Sequence, residues 1–499
     1  MSFLGLDVGT SGCKAVVFDG NGRPLASASR EYAVTSLQPH WAELDSWQVG
    51  DACLDVIAEA ASQCLQDRVQ GLGVSSQGEA FTLLDEQGHL LANAMVSSDN
   101  RAIGQVRSFP FDADRLYQKT GHTAHPIFSL YKLLWLREER PEIWRKTARI
   151  LCFEDYIHHR LGLEPAISFS LAARTMLFNV REQRWDPEIL EASGIRAGQL
   201  SRPLAPGSVV GTLSEVMCGK LNLAHGAIVV AGGHDQVCAA LGCGAIRPGI
   251  AALGSGTVEC ITVAFPEPIL SAALRDANLC TYSHAAPGLY ATLAYNLSGG
   301  NVLRWFREEW GAPEVAAAAR NGADIYDLIL ALMTDSPTRL MVLPYFTGSG
   351  TPYFDNHTPA AILGLRLTTG RGEVLRAILE GLCFELEANL RILDHSGIPV
   401  EELRVIGGGA KNRRWLQLKA DVFNRPVLIP EVTEAGCLGA ALLACATKES
   451  RDIESLIVRW VRCGAPILPD PNYATFYSER SALYEQTYFS LRALSQKLF

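Results

Sequence analysis

Apolar runs broken by turn residues set the pattern of the first 75 positions. Residues 3–8 and 14–18 flank a Gly-Thr-Ser-Gly segment, Gly20-Asn21-Gly22 marks a second turn, and residues 24–29 predict a third strand. Leu54, Ile57, Ala58 and Ala61 then recur at helical spacing within residues 46–65. Residues 69–74 return to a strand pattern that runs into Ser75-Ser76-Gln77-Gly78-Glu79. Three strands, a helix and a strand are the order of an α/β lobe. The pattern repeats after about Pro248: residues 250–253 and 258–263 predict a strand pair, residues 373–393 a helix, and residues 403–406 a strand ending in Gly407-Gly408-Gly409 before a helix near Asn412. The expected division is a first lobe over residues 1–246 and a second over 247–499, with a helical stretch of little further content beyond Ser450.

One turn chemistry occurs in both halves. Asp7-Val8-Gly9-Thr10-Ser11-Gly12-Cys13-Lys14 and Gly254-Ser255-Gly256-Thr257 each place glycine and hydroxyl residues between strand-like runs. Glycine lets main-chain N–H groups converge and hydroxyls add donors, so such a turn cradles an anion such as phosphate, although an ordinary hairpin uses the same residues. Two of them half a chain apart point to one polyphosphate gripped between two halves.

Composition narrows the picture. The chain has 499 residues, 48% of them hydrophobic and 19% charged, which fits a folded enzyme of two or more lobes. A formal net charge of −9 argues against nucleic acid as a partner. Residues 435–447 form the longest uncharged apolar stretch near the end, too short for a bilayer, and Met1-Ser2-Phe3-Leu4-Gly5 lacks the basic segment of a secretion signal, so no membrane partner and a cytoplasmic location are expected. The 13 cysteines show no C-x-x-C pair and no zinc spacing; Cys152, Cys383 and Cys437 read as buried apolar residues.

Asp7 ends an apolar strand, where a carboxylate needs a partner. A hydrated Mg²⁺ carried by ATP supplies one; capping the next turn is the alternative. Lys14 either reaches the phosphates or is a solvated strand lysine. Asp235 follows the run Val229-Val230-Ala231-Gly232-Gly233-His234 and opens a helix, where it serves as an N-cap or as a general base toward a substrate hydroxyl, the two roles being compatible. His234 reads as a satisfied histidine beside it. Gln77, Glu79, Asp99, Arg101 and Gln236 offer the donors and acceptors that a polyhydroxylated substrate requires, or simply face solvent.

These residues resemble the FGGY family of carbohydrate kinases, within the actin, hexokinase and Hsp70 superfamily. The resemblance spans nearly the whole chain. It includes Gly5-Leu6-Asp7-Val8-Gly9-Thr10-Ser11-Gly12, Gly232-Gly233-His234-Asp235-Gln236, Gly299-Gly300-Asn301-Val302-Leu303-Arg304-Trp305-Phe306, Pro344-Tyr345-Phe346-Thr347-Gly348-Ser349-Gly350, Gly407-Gly408-Gly409-Ala410-Lys411-Asn412 and Glu434-Ala435-Gly436-Cys437-Leu438-Gly439. It implies two ribonuclease-H-like lobes with ATP and a sugar or polyol in the cleft between them. Asp235 is then the base, Asp7 helps hold Mg²⁺, Thr10, Ser11, Gly254, Ser255, Gly256 and Thr257 surround the phosphates, and Gly408, Gly409 and Asn412 lie at the adenosine. A homodimer is also implied. Gln77-Gly78-Glu79 and Asp235-Gln236 look like the glycerol kinase pattern. Ser97 and Ile127, however, stand where that pattern carries tryptophan and tyrosine, and residues 172–179 are closer to the xylulokinase branch. The expected substrate is a ketose or related polyol of about five carbons. A polyol kinase proper and a non-catalytic actin-like nucleotide sensor are the alternatives.

Overall fold

Two six-stranded sheets organise the computed structural model, which describes residues 1–355, 357–495 and 497. In the first, the strands run Pro24–Glu31, Gly12–Phe18, Ser2–Val8, Val69–Ser76, Ile228–His234 and Val209–Thr212 across the sheet. The first three form an antiparallel meander, and Val69–Ser76 and Ile228–His234 add in parallel. The second sheet repeats this plan with Tyr290–Asn296, Glu259–Phe265 and Gly249–Ser255 as the meander and Val400–Ile406 and Val427–Leu428 as the parallel additions. The short strand Tyr282–Ser283 borders its outer edge. This duplicated order is the pair of ribonuclease-H-like α/β lobes expected from the sequence.

The central strand explains why the site lies where it does. Phe3, Leu4, Leu6 and Val8 are wholly buried between layers, each contributing about 1.5–3 kcal/mol of transfer free energy. The same register sets Asp7 opposite both Lys14 and Ser75, so the polar residues emerge together where the apolar run stops. A smaller four-stranded sheet, Glu43–Leu44, Leu90–Met95, Phe81–Leu84 and Arg149–Cys152, is built from one segment before Val69–Ser76 and three after it.

The chain end returns to its beginning. Helix Ala435–Glu449, which the sequence reading puts in the second lobe, lies against the first lobe's sheet and crosses helix Asp235–Gly242. The approach is backbone to backbone: a Cβ on Gly5 would sit 1.8 Å from the Cys437 carbonyl oxygen, and one on Gly439 2.0 Å from that of Cys238. Trp460 then packs on Phe3 and Phe18, at 6.4 and 6.2 Å between ring centroids, and donates from Nε1 to the Gly20 carbonyl at 3.1 Å. Helix Ala474–Ser495 directs Tyr477 and Tyr484 onto the buried Glu380 and Glu385 of helix Arg371–His395. The region beyond Ser450 therefore carries structural content that its helical pattern alone does not reveal. No described helix is long and apolar enough to cross a membrane.

Candidate active site

The first Gly-Thr-Ser-Gly segment is a tight hairpin closed by Gly9 N–H donating to the Gly12 carbonyl at 2.9 Å. Tyr32 donates from below to the Gly9 carbonyl at 2.7 Å. Asp7, Ser11, Lys14, Arg30, Tyr32 and Gln48 face a hollow of about 790 Å³ beside it. Asp7 accepts from the Ser75 hydroxyl at 2.6 Å, and Lys14 pairs with Glu434 at 2.7 Å. Burial pushes the Asp7 carboxyl above its ordinary value; Ser75 opposes this, Glu434 adds to it, and Lys14 opposes it. A carboxylate in that position gains from any cation brought to it. Gln77, a candidate sugar ligand, is instead bound to the hairpin: Nε2 donates to the Gly9 carbonyl and Oε1 accepts from Thr10, both at 3.0 Å.

The second hairpin is held from behind. Gly300 N–H donates to the Gly256 carbonyl at 2.9 Å and Asn301 N–H to that of Thr257 at 3.1 Å, joining the loop to helix Gly300–Trp310. Ser255 is buried and donates to Glu259 Oε1 at 2.7 Å; Lys419, equally buried, bonds the same oxygen. The Ser255 hydroxyl is thus engaged inside the lobe, and Gly256 N–H closes the turn on the Val258 carbonyl at 3.0 Å, so the main-chain donor that the tip of this loop offers is that of Thr257. Gly407 and Gly409 close over this loop, where Cβ atoms would fall 2.8 Å from the Ser255 carbonyl oxygen and 2.1 Å from its Oγ. Gly408 between them meets no described atom within 4 Å and forms an open step. Asn412 caps helix Arg413–Phe423, accepting from Arg414 and Trp415, and its Nδ2 donates to Asp327 at 2.9 Å. Its amide oxygen is spent on the helix, while Nδ2 keeps one N–H beside the step.

Asp235 is the first residue of helix Asp235–Gly242 rather than its cap, a position held by His234. Its side chain is 30% exposed, while Oδ1 is sealed from solvent. Burial raises its carboxyl to about 7, with the charges of Asp7 and Glu79 adding to the rise and hydrogen bonding to Gln236 opposing it. Those neighbours place Asp235 between the first hairpin and the Glu79 loop. Gln236 links it to the second hairpin, since its Oε1 lies 3.8 Å from where a Cβ on Gly254 would be. Asp235 is thus reached by the charge of Asp7 from the first hairpin and, through Gln236, adjoins the second.

Glu79 adopts a left-handed backbone, φ +63°, uncommon outside glycine and frequent at working sites. It is buried and receives the guanidinium of Arg174, while Ser129 donates to its carbonyl at 2.7 Å. Arg174 in turn lies 5.0 Å over the Phe128 ring. From the second lobe Phe354, also left-handed at φ +48°, reaches His125 of the first, with centroids 5.0 Å apart, and Tyr295 at 5.7 Å. Asp99 and Arg101 do not join this group. Asp99 is wholly buried and accepts from Arg101 and from the Ala42 N–H, while Arg101 also binds Glu43 at 2.7 Å and lies 3.6 Å over Trp41. Their hydrogen bonding closes inside the smaller sheet, so neither is free to hold a sugar. Arg174 was the legible omission: it is the one charge in the apolar run 165–180, and a buried charge demands a partner.

Residues 2–242 match the N-terminal domain of the FGGY family of carbohydrate kinases and residues 251–447 its C-terminal domain. The chain belongs to the FGGY family of carbohydrate kinases. It is similar to the xylulose kinase of Bacillus subtilis, 27% identical with 99% of this chain and 98% of that one covered, and to the autoinducer-2 kinase of Klebsiella pneumoniae, 29% identical over 98% and 94%. The crystal structure of gluconate kinase from Lactobacillus acidophilus superposes with a TM-score of 0.90 at 25% identity, covering 100% of this chain and 99% of that one. This FGGY kinase is accordingly an ATP-dependent phosphotransferase acting on an alcohol group of a carbohydrate. Three acceptors appear among relatives of nearly equal similarity, so the choice between them rests on the pocket.

Proposed function

We propose that this FGGY kinase transfers the γ-phosphoryl group of ATP to a hydroxyl of an uncharged ketose of about five carbons, with Asp235 as general base. The observation that carries the reading is the charge of the acceptor pocket. Asp7 and Glu79 both bear on Asp235, Arg174 is already paired with Glu79, and the buried Lys132, whose charge also reaches Glu79, is held by the Val96 carbonyl at 2.6 Å. A neutral, many-hydroxyl acceptor meets usable acceptors and donors there. An acid such as gluconate meets like charge, which costs several kcal/mol.

In the reaction the acceptor hydroxyl gives its proton to Asp235 as its oxygen bonds to the γ-phosphorus, and the bond from that phosphorus to the β–γ bridging oxygen breaks to release ADP. The hairpins at Gly9-Thr10-Ser11 and Gly254–Thr257 hold the phosphates at their tips, through the main-chain N–H groups of Thr10, Ser11 and Thr257, and Lys14 exchanges Glu434 for phosphate. Gly408 and Gly409, with the edge of Asn412, border the adenosine. Among the described residues no group of three or more His, Cys, Asp or Glu forms a metal cage. Mg²⁺ is held by phosphate oxygens and water with one or two carboxylates; Asp7 is the carboxylate that fits. When bound, the ion neutralises charge on the transferring phosphoryl group.

The test is acceptor-dependent ADP release over a panel of pentuloses, hexuloses, sugar alcohols, glycerol and gluconate. Pentuloses are expected to exceed gluconate by about 100-fold or more in kcat/KM. Preference for glycerol or a sugar alcohol would replace the ketose by a polyol, and no stimulation by any acceptor would favour a nucleotide sensor. A second expectation concerns pH. Only the ionised carboxylate accepts a proton, and burial raises Asp235 to about 7, so kcat/KM for the acceptor should fall about tenfold per unit as the pH drops below 7. A flat profile down to pH 5 would remove Asp235 from the role.

A further inference from the structure

Tyr282 belongs to the edge strand of the second lobe, yet its hydroxyl lies 3.0 Å from Nδ1 of His234 in the first. The other ring nitrogen of His234, Nε2, stands 3.2 Å from Oδ1 of Asp235. That oxygen is sealed from solvent and has no well-aligned hydrogen-bond partner among the described residues. The imidazole is wedged: a Cβ on Gly78 would fall 2.9 Å from its Cδ2 and 3.0 Å from Nε2, and the Tyr282 ring flanks it with centroids 5.8 Å apart. Tyr282 is fixed as well, since Thr281 N–H donates to the Gly121 carbonyl at 2.8 Å and Tyr117 donates to the Leu279 carbonyl at 2.9 Å, tying this strand to the first lobe.

Burial, with Arg174 adding to it, keeps the His234 imidazole neutral, and burial keeps the Tyr282 hydroxyl protonated. A neutral imidazole has one N–H. With Tyr282 donating to Nδ1, that hydrogen sits on Nε2 and faces Asp235.

We propose that Tyr282 and His234 are positioning residues for the base: His234 holds Oδ1 of Asp235, leaving Oδ2 to the acceptor hydroxyl, and Tyr282 sets the tautomer and rotation of the ring. A base oriented by a third group is a recurring arrangement in activated nucleophile sites. The Nε2 contact is off line, and the proposal has it straighten in the ternary complex, as catalytic hydrogen bonds do. Neither residue takes or gives a proton to substrate; the transfer remains from acceptor to Asp235. The inference rests on the reading of Asp235 as base.

The experiment measures kcat and acceptor KM for His234→Leu, His234→Gln, Tyr282→Phe, the double variant Tyr282→Phe/His234→Leu and Asp235→Asn, with ADP binding and melting temperature as controls of folding. His234→Leu is expected to lower kcat by roughly ten- to a hundredfold, part of the total contribution of a positioned base, with acceptor KM and ADP affinity within about twofold. His234→Gln, which keeps an N–H near the place of Nε2, should recover most of that loss. Tyr282→Phe should lose less than His234→Leu, and the double variant should lose no more than His234→Leu alone, because Tyr282 acts through His234. Wild-type kcat in both single variants, or additive losses in the double, would overturn the proposal while an inactive Asp235→Asn left the base in place. An active Asp235→Asn would instead overturn the reading on which the proposal stands.

Discussion

Asp235→Asn is expected to lower kcat by about 10²–10⁴-fold while leaving ADP affinity nearly unchanged and the fold at least as heat-stable as the wild type. The pairing of those outcomes follows from one physical fact, the burial that raises the carboxyl to about 7. A folded-state value above the unfolded one means that ionising Asp235 costs the folded protein more than the unfolded chain. The stability tied to its protonated form is whole below the ordinary aspartate range and is lost as the pH rises through 7. Asparagine has no such ionisation, so the variant should gain on the wild type with rising pH and be the more stable at pH 8. Melting curves at pH 5 and pH 8 beside steady-state kinetics check both halves. A variant that is inactive because it is less stable at pH 8 would point to a structural carboxylate instead.

The second large effect concerns the helix crossing behind that carboxylate. Gly439→Val forces a side chain into the Cys238 carbonyl, which a Cβ would meet at 2.0 Å. The obstructing atom is helix backbone and cannot swing aside as a flexible side chain would. Overpacking of this kind costs about 3 kcal/mol. The helix it displaces opens with Asp235, so acceptor turnover should fall together with melting temperature. Gly219→Ala, on helix Glu215–Lys220 with no described atom within 4 Å of its Cβ, is the matched control and should be neutral or slightly stabilising. Equal melting temperatures for Gly439→Val and the wild type would refute the tight crossing.

What the chain discloses on reading, and what it conceals, divides along the range of the interactions. The strand at residues 3–8 is legible because its apolar run and the glycine turn after it are local signals, and the observed strand Ser2–Val8 differs by one residue. The helix expected near Asn412 is found at Arg413–Phe423 for the same reason. Helix Ala435–Glu449 is equally plain as a helix, but its seat on the first lobe depends on Gly5 and Gly439 admitting a carbonyl from residues hundreds of positions away. The site shows the same division. Asp7 and Asp235 stand out as carboxylates closing apolar strands. Gln77, Asp99 and Arg101 are polar loop residues, and their type does not tell whether they bond a ligand or one another. Gln77 turns to its own hairpin, and Asp99 and Arg101 bond each other. Glu79 needs Arg174, 95 positions later, before its burial makes sense, and Tyr282 meets His234 across the lobes. Such pairings are products of topology, which places strand ends together only after both sheets have formed.

The most direct test of the account is a crystal structure of the ternary complex with a non-hydrolysable ATP analogue, Mg²⁺ and the best ketose of the panel. The account predicts the γ-phosphorus between the hairpins at Gly9–Gly12 and Gly254–Thr257, and the acceptor hydroxyl within hydrogen-bond reach of Asp235, about 3 Å, on the line of attack. A nucleotide bound by one hairpin alone, or an acceptor whose hydroxyls all lie away from Asp235, would contradict it.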